Sequence, residues 1–340
     1  MAPLPDYCHN SSLVEHKFAN YFVRSTIVLE APCASFAVYC ICKLTPKHLM
    51  HAKLLLLAHQ LWILFYSSVV CIGLVPVDFF PYIAFYSNGL FDYFEVDMTI
   101  VIYLLGTGFG GMLFSILCLF VYRHQSVLPE THPLKFRPKP FTLLCLLIHS
   151  GTILFMTPLI VKPPDQQTSL VALQSAFTNP PCDLWRPRLF IYWFGVLDQL
   201  IGYLLFLTVC SLLMVFFVVH SFRIIRAYQR HTSKSTRKRQ IGFLYALTLM
   251  VPADTSASLH DLCFQASIPN LFLFAPTMTA VLSSIGSDSY DPVVGCSMVC
   301  LVSLHGSIST ITMVLSHKPY RKEVVTLMNK AMFWSRNNIY

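Results

Sequence analysis

The chain has 340 residues, 55% of them hydrophobic and 27 of them Phe, with only 12% charged and a mean hydropathy of +0.59. That much apolar surface excludes a pair of water-soluble domains and points to one helical domain embedded in a membrane. The net charge of +8 comes without any base-reading motif, so it is assigned to a membrane face and acidic partners, and nucleic acid is excluded.

From the amino terminus, residues 1–24 have neither the basic start nor the apolar heart of a cleaved signal peptide, and the first span itself is expected to direct insertion. A spanning helix needs about 20 mostly apolar residues, because unsatisfied backbone groups in hydrocarbon cost several kcal/mol each. Seven stretches meet or approach this: about 25–44, 54–76, 98–122, 141–161, 191–219, 264–286 and 293–317. The expected fold is all-α, a seven-transmembrane bundle over 25–317, followed by a tail at 318–340.

Lys and Arg near helix ends are retained on the cytoplasmic side, so their distribution sets the orientation. The stretch from His220 to Gln240 carries Arg223, Arg226 and five further Lys or Arg without one acid. With the amino terminus outside, the inner segments hold 19 of the 24 cations, leaving only Lys17, Arg24, Lys162, Arg186 and Arg188 outside. The outer segment 77–97 has Asp78, Asp92, Glu95 and Asp97 and no base, and its Phe and Tyr are read either as an interfacial belt or as the mouth of a ligand pocket.

Most of the 12 cysteines fall in the spans, where they behave as small apolar residues. Cys8 and Cys182 lie outside them and are candidates for a disulfide in an oxidising exterior, and Asn10-Ser11-Ser12 is a glycosylation sequon on the same side. Gly106, Gly108 and Gly111 spell a dinucleotide fingerprint, but inside an apolar helix with no preceding strand, so no nucleotide site follows. Gly106 and Gly110 give GxxxG, which lets another helix approach and makes the third helix central. Arg123 at that helix's inner end is read as a topology anchor or as a switch contact.

Ionisable residues inside spans are expensive, and Glu30, His59, His149, Asp198 and His305 are the set. Each either lines a ligand cavity or makes an interhelical hydrogen bond; His59, Asp198 and His305 are the chosen pocket candidates. Glu30 and Asp198 also suggest a small-solute transporter or channel, against which stand the odd helix count and the lack of internal repeats. His48 and His51 have no clustered partners, so no metal site is expected, and the absence of HExxH, GxSxG and P-loop motifs disfavours an enzyme and a cofactor.

Several separated segments share one pattern. Tyr39-Cys40-Ile41, Thr45-Pro46-Lys47 with Met50, and His59 to Trp62 agree at one end, and Leu304-His305-Gly306, Ser309-Thr310, Met313 and His317-Lys318-Pro319-Tyr320-Arg321 at the other. The chain resembles the nematode serpentine chemoreceptors, most closely class H, with class I a near neighbour. The resemblance implies a seven-helix receptor of G-protein-coupled type in sensory neurons and their cilia, at the plasma membrane, taking a small-molecule ligand from outside and signalling to a heterotrimeric G protein. It implies that Arg123, Arg223, Arg226, Pro319, Tyr320 and Arg321 belong to the G-protein face. Val121 and Tyr122 replace the family's acid and Asn before Arg123, so no acidic latch is expected there.

From Tyr320 to Trp334, apolar residues at helical spacing predict an amphipathic helix on the inner membrane surface. A second departure lies at 251–263, where Pro252 to Asp261 break the apolar run of the sixth helix with two acids. Deleting that stretch restores one long span, which reads as an insertion or a misplaced exon boundary; a polar cavity wall is the alternative.

Overall fold

A computed structural model describes residues 17–45, 50–79, 84–161, 165–175, 182–185, 188–191, 197–229, 268, 270–276, 278–279 and 292–337. Among these, the long helices are α1 (Lys17–Leu44), α2 (Met50–Ser68), α3 (Met98–Val127), α4 (Pro138–Val161), α5 (Leu197–Gln229), α6 (Pro292–Ser316) and α7 (Lys318–Asn337). Five stretches are long and apolar enough to cross a membrane: Lys17–Leu44, Met50–Leu74, Met98–Val127, Leu205–Ile224 and Val293–Leu315, with Pro140–Thr152 a shorter apolar helix. Leu147, Leu212 and Val293 are exposed on the outside of the bundle, which is what lipid as solvent requires.

α1 starts at Lys17, ahead of the expected 25, and Lys17–Arg24 contains no Gly or Pro that would break a helix. The sixth expected span is described only around the π-helical turn Asn270–Phe274, and the segment 251–263 lies outside the described residues. α6 is therefore the seventh expected span, and it packs along α1.

α3 is the central helix, in contact with α2, α4 and α5. The glycines expected to permit this do so: Gly110 of the pair singled out, together with Gly108 and Gly111. A Cβ on Gly111 would lie 2.3 Å from the Trp62 ring, one on Gly108 3.1 Å from Phe65, and one on Gly110 2.8 Å from Thr152 of α4. The missing side chains of Gly108 and Gly111 seat α2, and that of Gly110 seats α4. Around them Phe109, Met112, Leu113, Leu117 and Phe120 of α3 form the main core with Ile63 and Tyr66 of α2 and Leu207 and Met214 of α5.

The end of the bundle away from Arg123 is closed by an element the sequence reading treated as loop. α2 finishes in a π turn, Val69–Leu74, and Val75 takes a left-handed φ of 44° that ends it. The chain then forms an antiparallel sheet of β1 (Pro76–Asp78), β2 (Ala84–Ser87) and β3 (Phe190–Ile191), in that order. β3 occupies the residues where the fifth helix was expected to start, and α5 begins at Leu197. Strand alternation sorts the side chains. Val77 and Tyr86 face a cluster with Leu173 and Leu184, while Phe85 turns to Leu74, Met98 and Val101 at the end of α3.

Candidate functional site

At the basic end, the two ends of the chain meet. Tyr320 is buried among Ala37, Cys40, Ile41, Leu56, Met313 and Val314, and its hydroxyl lies 2.6 Å from Thr45 Oγ1. The His317 ring stacks on Tyr320, with centroids 5.0 Å apart and planes at 17°, and its Nδ1–H donates to the Met313 carbonyl at 2.9 Å. Pro319 sits in the first turn of α7, where its missing N–H is no loss. Residues 275 positions apart in sequence thus form one joint, α1 to α6 to α7. Along α7, Val324 packs on this joint and Leu327 and Met328 stay exposed, an apolar face suited to a membrane surface.

Beside the joint is a small open cleft lined by Leu56 and His59 of α2, Phe120 and Arg123 of α3, Ile268, and Ser309 of α6. His59 is buried, and its Nδ1 lies 2.7 Å from Ser115 Oγ. The Ser115 hydroxyl donates to the Met112 carbonyl at 2.7 Å, so it accepts from His59 Nδ1–H and leaves Nε2 as the acceptor. One layer deeper, Gln60 Nε2 donates to Thr310 Oγ1 at 2.8 Å, binding α2 to α6. His305 is buried near His59, and among the described residues neither of its ring nitrogens has a hydrogen-bond partner.

The expected pocket candidates therefore separate. His59 and His305 come together in the bundle interior, His59 on the cleft that also holds Arg123. Asp198 is in the first turn of α5, at the sheet end. Glu30 of α1 is fully buried beside Ser67, its carboxyl pressed against Gly306. Of the expected G-protein face, Arg223 is exposed on α5, Arg226 lies one turn further along the same helix, and Arg321 N–H donates to the His317 carbonyl at 2.9 Å.

Sequence reasoning missed a histidine contact at this end. His124 Nε2 of α3 lies 2.7 Å from His220 Nδ1 of α5, and the His220 ring stacks on Phe216 at 5.4 Å. His132, in the connection after α3, lies 5.7 Å from the His220 ring. The signal available was three histidines near predicted inner helix ends, which without distances carries no pairing. A short His–His contact requires one ring to donate and the other to accept, so at most one of the pair is charged.

The sheet end has its own ties. The Asp97 carboxylate accepts from Thr99 N at 2.7 Å and caps α3. Arg188 donates to the Asp92 carbonyl at 2.9 Å, to its carboxylate at 3.3 Å, and to the Val96 carbonyl. Arg24 of α1 donates to the Asn88 carbonyl at 2.5 Å. Cys182 is disulfide-bonded, and among the described residues nine other cysteines form no disulfide. Its expected partner Cys8 and the sequon at Asn10 lie outside the described residues.

The model of the serpentine type 7TM GPCR chemoreceptor family Srh matches residues 14–254 and 255–330. The two matched stretches abut between residues 254 and 255. No curated protein matches the chain. The crystal structure of squid rhodopsin is similar in fold, with a TM-score of 0.59 and 12% identity over 97% of this chain and 91% of that one. The chain belongs to the class H serpentine chemoreceptors, a family of multi-pass receptors with the seven-transmembrane fold and not a family of enzymes.

Proposed function

We propose that the protein is a chemosensory receptor that takes a small molecule at the sheet end, outside the cell, and passes the signal to a heterotrimeric G protein at the basic end. The observation that carries this is the cleft at the basic end, which is open and joins α2, α3 and α6 around Arg123. Across it Gln60 ties α2 to Thr310 of α6, and beside it His124 ties α3 to His220 of α5, so small relative shifts of these helices change its width. A ligand that binds the wide state better than the narrow one shifts the population between them, and the cations Arg123, Arg223, Arg226 and Arg321 offer charge to an acidic partner surface.

In this reading His59 and His305 serve the interior relay between the two ends, and Asp198 stands nearest the ligand. The same orientation would put Asn10 and Cys8 outside, with Cys8 as the partner of Cys182, and membership of the chemoreceptor family supports the plasma membrane of sensory cilia as the location. The experiment is ligand-stimulated nucleotide exchange on a co-expressed G protein, with Arg123→Ala as control. Exchange that rises with ligand and is lost in Arg123→Ala supports the mechanism; ligand binding at the surface without exchange defeats it.

A further inference from the structure

Four acids crowd the segment from Asp78 to Asp97, and the structure gives three of them ordinary roles. Asp97 caps α3, Asp92 pairs with Arg188, and Glu95 is exposed on a turn with φ of 51°. Asp78 differs. It pairs with Phe85 in the β1–β2 register, so both side chains leave the sheet on the same face, and that face is turned to the helices.

Asp78 lies close enough to Tyr66 of α2 and Cys296 of α6 to interact electrostatically with both, and β1 packs against α6. Among the described residues, no cation or hydrogen-bond donor meets its carboxyl. The nearby arginines are committed elsewhere, Arg24 to Asn88 and Arg188 to Asp92 and Val96. The residue keeps part of its surface accessible, unlike the sealed Glu30. A carboxylate taken from water without a partner is costly, and the group that offsets this best is a cation with N–H donors or a polarised methyl shell.

We propose that Asp78 is the counter-ion for a positively charged amine, so that the ligand class of this receptor is small ammonium compounds held between the β1–β2 face and the ends of α2 and α6. Phe85 on the same face and Tyr66 behind it supply aromatic surface, which favours ammonium over a neutral ligand of the same size. The proposal rests on the reading that ligand enters at the sheet end, and it names a residue and a charge that the earlier candidates His59, Asp198 and His305 do not.

Burial raises the Asp78 carboxyl from the usual carboxylate range to about 7. An amine must therefore compete with a proton below that pH. The other titratable groups that face it are Tyr66 on α2 and Cys296 on α6, with Arg24 and Arg188 held in their own contacts.

The test uses the full chain in nanodiscs and reads the thermal shift, which needs no G protein. The probes are phenethylamine, trimethylamine and choline, set against 2-phenylethanol and 3-phenylpropionate as neutral and anionic counterparts. At least one amine is expected to stabilise the receptor, with affinity falling about tenfold per pH unit below pH 7 as the carboxyl takes up its proton. Asp78→Asn is expected to weaken that amine on the order of a hundredfold, and Asp78→Glu to retain most of the affinity. If Asp78→Asn does not reach the membrane folded, the pH titration and Asp78→Glu carry the test.

Three results overturn the proposal: no amine binds, an amine binds Asp78→Asn as well as the parent, or the neutral or anionic counterpart binds better. Amine binding that depends on Asp78 without any nucleotide exchange would leave this site standing and remove the signalling reading instead.

Discussion

Gly306 and Glu30 show how tightly one residue type is dictated by its neighbour. A Cβ at Gly306 would lie 2.5 Å from Glu30 Oε2, so Gly306→Ala must displace a buried carboxyl. The expected cost is about 1–3 kcal/mol, seen as a lowered unfolding temperature of the purified receptor. Adding Glu30→Ala to that variant should recover part of the loss; no recovery would mean the two residues do not share the space. Asp78 gives a pH dependence of definite sign. Its folded-state pKa of about 7 lies above the ordinary 3.8, so the folded protein holds the proton more tightly and the contribution to stability falls as pH rises between those values. Asp78→Asn should therefore be more stable than the parent at pH 8, with the advantage shrinking by pH 5. A difference that grows as pH falls would contradict the burial of that carboxyl.

Between elements, the informative contacts are few and polar. The His124–His220 hydrogen bond holds α5 to α3 beside the cleft. One such bond contributes about 0.5–1.5 kcal/mol net, enough to move a two-state equilibrium by about two- to tenfold. His220→Ala is expected to raise nucleotide exchange in the absence of ligand by that factor; unchanged basal exchange would remove the pair from the switch. At the other end, the disulfide of Cys182 is expected to close on Cys8, tying the amino-terminal segment to the connection before α5. Peptide mapping under non-reducing conditions should recover the Cys8–Cys182 pair, and a Cys182–Cys263 peptide would refute it.

The long helices were readable from sequence because lipid demands continuous apolar runs, and α3 announced its central place through its glycines. Which glycine meets which helix was not, since Gly106 and Gly108 differ only in the direction they face on one rod. The β1–β2–β3 sheet escaped the reading because Pro76–Asp78 and Phe190–Ile191 are too short to show a period and pair only through a contact across the chain. The site was half readable. Motif residues Thr45 and Tyr320 meet at one joint and Thr310 accepts from Gln60, contacts that the motifs alone did not announce, whereas the choice of His59, Asp198 and His305 as one pocket rested on polarity without distance.

For the whole molecule, everything functional depends on which end faces the cell interior, since the same bundle inverted would present the Arg123 cleft to ligand and the sheet to the cytoplasm. The proposed orientation, with the basic end inside, rests on the cation distribution. The direct measurement is antibody access to two epitope tags, one before Lys17 and one after Tyr340, in intact and in permeabilised cells. Labelling of the first tag on intact cells, with the second visible only after permeabilisation, is the predicted result; the reverse pattern would contradict the receptor assignment of both ends.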